Sequence, residues 1–163
     1  MAKASDKNSE KTNVMRLLDQ AGIAYEPFWY DAELTNAEAV ARALGQSPEC
    51  LFKTLVTESD KKEHFVFVIP AGGSLSLKKA AKTAGVKAIA MLKQKDLLPL
   101  TGYVHGGCSP VGMKKPFPTF IDETALITDA FFCSAGRRGA QIRVDPEALA
   151  EYVGAEFADL TED

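Results

Sequence analysis

The residues with the clearest chemical potential are Lys53, the Gly106-Gly107 pair followed by Cys108 and Ser109, and the segment Ser134-Ala-Gly-Arg-Arg-Gly139. Lys53 sits inside Leu51-Phe-Lys-Thr-Leu55, where strand alternation puts it on one face with Leu51 and Leu55. A charge on an apolar face is costly without a partner. Such an ammonium either snorkels to solvent on its long stem or waits for an anion such as a ligand phosphate. The stretch from Thr101 to Asp122 mixes Gly106, Gly107 and Gly112 with Pro110, Pro116 and Pro118. Glycine permits close approach of bare backbone and proline fixes φ without an N–H. Together they oppose helix and strand and suit a rigid loop that presents amide N–H groups to a ligand, with Lys114 and Lys115 beside it for negative charge. Arg137 and Arg138 offer planar donors suited to phosphate, although an ordinary hairpin turn with solvated arginines accounts for them equally well.

The nucleophile inventory is thin. Cys108 follows His105 by three residues, a spacing that in extended chain sends the two side chains to opposite faces. Cys108 therefore reads as a small packing residue under the loop. There is no Gly-x-Ser-x-Gly elbow, no Walker motif and no Gly-x-Gly-x-x-Gly fingerprint. Cys-x-x-Cys and His-x-x-x-His are also missing, so neither a metal nor a cofactor is expected. The Ala71-Gly-Gly-Ser74 turn reads as a plain strand-to-helix connection.

The elements that must hold these residues follow from pattern. The chain has 163 residues, 46% hydrophobic and 25% charged, a soluble single-domain composition. Residues 1–11 read as a mobile polar tail, with no signal peptide, and 12–163 as the domain. Thr12 caps a helix whose stripe is Val14, Leu17, Leu18 and Ala21, closed by Gly22. Strands are expected over 23–30, 50–57, 64–69, 88–92, 103–105, 119–121, 130–134, 141–144 and 157–160. Thr35-Asn-Ala-Glu38 is a capping-box pattern opening a helix to Leu44. Ser76 opens another, closed by Gly85, and Asp145-Pro146 a third. Residues 93–98 fit no single pattern. Central strands with helices near the ends make a mixed α+β domain.

Charge is unevenly spread. The net charge of −3 divides into −4 over residues 1–60, +8 over 61–143 and −7 over 144–163. A cationic middle can attract a polyanion from an acidic protein. Three widely spaced cysteines argue for a reducing, cytoplasmic setting. The longest strongly apolar run, Phe65–Ile69, falls far short of the ~18 residues of a membrane span.

Taken jointly, Phe52-Lys-Thr-Leu55, Thr101-Gly-Tyr103, Gly106-Gly-x-Ser-Pro-x-Gly112, Lys114-Lys115, Pro118-Thr119, Ile121-Asp122 and Ser134-x-Gly-x-Arg-Gly139 resemble the YbaK family of aminoacyl-tRNA deacylases, in the family's order. That family is related to the editing domain of bacterial prolyl-tRNA synthetases. The resemblance implies a compact domain with a twisted, barrel-like mixed sheet and flanking helices, and a pocket for the aminoacylated 3′ acceptor end of tRNA. It implies that Lys53 is required for activity and holds the terminal phosphate or ribose. It gives the Gly106-Gly107 backbone the task of positioning the ester. Tyr30 matches an aromatic residue at the pocket mouth, Ser134 and Gly136 a small-residue wall, and Cys108, Ser109 and Arg138 complete the substrate contacts. Gln141 stands where many relatives carry Asp, which removes a negative charge that could meet the substrate's ammonium.

The function so implied is trans-editing of Cys-tRNA(Pro), with Cys-tRNA(Cys) as a further substrate. In it the thiol of the misattached cysteine attacks its own ester. Prolyl-tRNA synthetase is a candidate partner; membranes and DNA are not expected partners. Two alternatives stand beside it: a deacylase for another small amino acid such as alanine, and a module that binds a nucleotide or tRNA end without chemistry.

Overall fold

The structure, a computed structural model, describes residues 10–163. Most of the tail expected over 1–11 lies outside the described residues. The first helix, α1 (Asn13–Ala21), is capped by the Thr12 hydroxyl, which accepts from the Met15 N–H, and it ends at Gly22. Its buried side, Val14, Met15 and Leu18, packs on the main core.

Eight strands form two sheets. Strands β1 (Tyr25–Trp29), β6 (Phe131–Ser134) and β7 (Ala140–Val144) make an antiparallel sheet with β7 in the middle. Strands β2 (Phe52–Ser59), β3 (His64–Pro70), β4 (Ile89–Met91), β5 (Thr119–Asp122) and β8 (Glu156–Ala158) make a mixed sheet, in the order β4-β2-β3-β5-β8. The β2–β3 hairpin and the β2–β4 pair are antiparallel, while β3–β5 and β5–β8 are parallel. The sheets touch through a parallel bridge between Leu51 and Phe132, and Phe52 meets Phe131 edge-on with ring centroids 5.0 Å apart. This is a barrel-like wrap around one core and not a closed barrel.

The remaining helices are α2 (Ala37–Ala43), α3 (Leu77–Ala84), α4 (Gln94–Thr101) and α5 (Pro146–Val153), with a 3-10 turn at Glu123–Ile127. None of the described helices is long and apolar enough to cross a membrane.

Two expectations are corrected and one open stretch is assigned. The cap of α2 is Asn36, whose side chain accepts from the Ala39 N–H at 3.0 Å; Thr35 stands one residue outside the helix. Residues 93–98, unassigned by pattern, lie mostly within α4, which contains Pro99 and stops at Gly102. Tyr103–His105 is not a strand. The buried Thr101 hydroxyl takes the Tyr103 N–H, and the chain then turns at Val104–Gly107, so no sheet edge receives it.

Candidate active site

A cavity of about 480 Å³ opens where the two sheets meet. Its floor is the start of β2, Leu51 to Leu55. The β1–α2 connection contributes Tyr30, Thr35 and Asn36, and α2 contributes Glu38 from its first turn. His105, Gly106 and Cys108 of the glycine loop form another wall, and Ser134 of β6 and Gln141 of β7 close the far side.

Lys53 follows the alternation rule: Phe52 and Val56 enter the main core, while Leu51 and Leu55 join two smaller apolar clusters on the other face. Lys53 fills the gap between those clusters. Its Nζ donates to the Ala71 carbonyl at 3.2 Å. Burial holds its pKa below the ordinary lysine value, and the Glu38 carboxylate opposes that shift. The two are not in ion-pair contact, because none of the salt bridges among the described residues joins them.

Both loop glycines are held by contact. A Cβ on Gly107 would lie 2.9 Å from the Arg137 carbonyl carbon and from the Arg138 nitrogen, so two backbones touch where only glycine fits. Gly106 has φ +88° and faces the Thr35 side chain at 2.9 Å on the same construction. The Gly107 N–H is occupied, donating to the Val104 carbonyl at 2.9 Å. Among the described residues the amides of Val104, His105, Gly106, Cys108 and Ser109 have no such acceptor, and of these residues His105, Gly106 and Cys108 line the cavity. Arg138 braces this loop from outside: its Nε–H donates to the His105 carbonyl at 2.8 Å.

His105 and Cys108 share the cavity wall, contrary to the opposite faces expected of extended chain, because the segment turns between them. Burial nevertheless pushes the Cys108 thiol up to about 12, so it carries negligible thiolate at neutral pH.

Three residues that line the cavity each carry a buried side-chain polar atom with no hydrogen-bond partner among the described residues: Tyr30 Oη, Thr54 Oγ1 and Gln141 Oε1. Each such atom costs about 1–3 kcal/mol if left unpaired. Gln141 is 5% exposed and lies on β7 between Phe28 of β1 and Ser134 of β6, so its position is fixed by both neighbours.

Of the residues singled out from sequence, Lys53, Gly106, Tyr30, Cys108, Ser134 and Gln141 line the cavity. The other four do not. Gly107 supports the loop from behind. Ser109 is fully buried, its Oγ accepting from the Val111 N–H. Gly136 packs against Val14 and Tyr103, and Arg138 is the brace just described. The Lys114-Lys115 pair also lies off the cavity, with Lys114 Nζ donating to the Pro99 carbonyl. Pattern reading passed over Thr54 as a site residue and took Glu38 for a capping residue. The signal for Thr54 was its place beside Lys53; for Glu38 it was the helix start that follows Tyr30.

The chain is similar to known proteins along nearly its whole length. The aminoacyl-tRNA editing domain family matches residues 31–152. A protein of Enterococcus faecalis (strain ATCC 700802 / V583), named as a candidate Cys-tRNA(Pro)/Cys-tRNA(Cys) deacylase, EbsC, is 45% identical over 161 residues, covering 97% of this chain and 98% of its own. Among solved structures, a candidate trans-editing enzyme for prolyl-tRNA synthetase superposes with a TM-score of 0.82 at 27% identity, covering 95% of this chain and all of that one. Hypothetical protein APE2540 shares the fold, with a TM-score of 0.86 at 24% identity over 93% of this chain and all of its own.

Proposed function

The chain belongs to the family of aminoacyl-tRNA editing domains, and from that premise we propose that it removes cysteine from mischarged tRNA(Pro) in trans. The observation that carries this reading is the convergence of one lysine and one glycine loop on a single cavity, whose lining cysteine, Cys108, is held away from its thiolate form by burial.

The substrate supplies its own nucleophile. The cysteine sulfur attacks the ester carbonyl carbon, the bond from that carbon to the ribose oxygen breaks, and the ribose oxygen takes the proton released by the thiol. The product is a strained cyclic thioester, which water opens to free cysteine. The protein's part is to hold the ester folded for this attack, a positioning effect that can supply much of a barrier. The free amides of Gly106 and Cys108 are the donors for the developing oxyanion, each worth roughly 3 kcal/mol in such settings. Lys53 holds the terminal phosphate or ribose, and Tyr30, Ser134 and Gln141 surround the aminoacyl group. Proline, lacking a thiol, survives. Prolyl-tRNA synthetase as a docking partner would add the tRNA selection that so small a surface supplies poorly.

The test incubates the purified protein with tRNA(Pro) carrying cysteine, alanine or proline. Release of cysteine with proline retained is the expected result. No cysteine release by the wild-type protein overturns it, and faster release of alanine moves the reading to the alanine deacylase that the neutral Gln141 amide would accommodate. Lys53→Ala should abolish turnover.

A further inference from the structure

The floor of the cavity is an open strand edge. In the β2–β3 hairpin the partners are Phe52 with Pro70 through Glu58 with His64. The bonding phase follows from its ends: Ser59 N–H donates to Glu63 O at 2.7 Å, and Ala71 N–H to Leu51 O at 2.8 Å. Hydrogen-bonded pairs alternate along an antiparallel ladder, so Lys53, Leu55 and Thr57 turn their peptide groups toward β3. The even-numbered residues turn theirs away, as two contacts confirm. Val56 O accepts from Leu92 N–H at 3.1 Å, and Cys50 O from Phe132 N–H at 2.9 Å.

Among the described residues the one strand pairing on that side before β4 is the Leu51–Phe132 parallel bridge, whose second hydrogen bond occupies the Phe52 N–H. The outer neighbours of β2 are the Phe132 bridge at Leu51 and strand β4, whose pairing with β2 begins at Thr57. Beyond that bridge the Phe52 carbonyl and the Thr54 N–H and carbonyl face away from β3, at two residues that line the cavity. The gap has room for only two outward-facing residues, too few for an added peptide strand, which gains its affinity from a run of ladder bonds. It suits a small planar group carrying a donor next to an acceptor, because the carbonyl of one outward residue and the N–H of the next stand close together and point the same way.

We propose that this two-residue edge reads the terminal adenine of the tRNA 3′ end: Phe52 O accepts from the exocyclic N6 amine and Thr54 N–H donates to N1. The inference rests on the deacylase reading for the identity of its ligand and adds a base-recognition subsite to it. Lys53, between the two, turns its side chain to the neighbouring ribose or phosphate. The base is thereby fixed relative to the ester that must be bent for attack.

The experiment uses acceptor-stem RNAs ending in adenosine, purine riboside (no N6 amine) or 1-deazaadenosine (no N1 acceptor), both cysteinylated and uncharged. Each lost hydrogen bond should lower kcat/KM for deacylation about tenfold, with a matching rise in Kd of the uncharged RNA. Purine- and deaza-ended RNAs bound and cleaved within twofold of adenosine would overturn the proposal. If no cysteinylated RNA is cleaved, the deacylase reading fails, and the uncharged binding series still decides base recognition. A second arm replaces Thr54 with proline. Proline is tolerated where a strand N–H faces away from the ladder, and the change removes the proposed donor. Thr54→Pro with an unchanged Tm should abolish the discrimination between adenosine and 1-deazaadenosine, whereas Thr54→Val should preserve it.

Discussion

Lys53 is pulled in two directions, by burial that disfavours its charge and by the Glu38 carboxylate that favours it. Burial dominates, so the ammonium is lost at a lower pH than in a free lysine. Catalysis that needs the cation must then fall earlier on the alkaline side. Removing the carboxylate with Glu38→Gln takes away the only raising influence, and the alkaline limb of kcat/KM should move to still lower pH. A pH–rate profile corrected for spontaneous ester hydrolysis checks this, and an unmoved limb argues that Lys53 does not act as a cation. Cys108 offers the complementary test. With its thiol held near 12 by burial, Cys108→Ser should retain most of the wild-type kcat, because the attacking sulfur belongs to the substrate. A loss on the order of 100-fold would instead assign the nucleophile to the protein.

At the level of elements, the glycine loop works because a second hairpin turn backs it. Gly107 touches the Arg137–Arg138 backbone, and Arg138 ties the same loop through the His105 carbonyl. Gly107→Ala cannot be absorbed by a side-chain rotation, since the atoms in the way are main chain. It should cost about 1–3 kcal/mol of stability and lower kcat by shifting the Gly106 and Cys108 amides. Thermal unfolding and single-turnover rates read the two effects separately. The β2 edge has a similar logic: β4 is short and its pairing with β2 begins only at Thr57, and that shortness leaves the cavity its floor. Much of this local order was legible in the chain. Thr12, Ser76 and Asp145 cap the helices expected of them, because a cap is a contact between residues three apart. Tyr103–His105 looked like a strand because its residue types are extended in preference. It is a turn because Thr101, Gly102 and Val111 hold it from outside its own sequence, Tyr103 Oη donating to the Val111 carbonyl.

For the molecule as a whole, the cationic stretch 61–143, with +8 net charge, sets an expectation for tRNA binding. Affinity should fall with salt, each single-stranded phosphate contact contributing about −0.7 to the slope of log K against log salt. Lys53→Ala should flatten that slope by about one contact, measurable by fluorescence anisotropy on uncharged tRNA. A slope near zero would locate recognition in the cavity's neutral groups alone. Composition, capping signals, strand alternation and the outward break at Lys53 were determined by sequence, because each depends on neighbours a few residues apart or on a repeat of two. Which of the marked residues meet was decided only by the tertiary structure. The Leu51–Phe132 bridge and the Phe52–Phe131 contact bring two sheets together, and that junction gathers Tyr30, Lys53, Gly106 and the Ser134–Gln141 pair from four segments of the chain. It sends Ser109, Gly136 and Arg138 to supporting positions. Long-range packing leaves no period in the chain, so residues alike in type and spacing divide into those that face a ligand and those that hold the facing ones still.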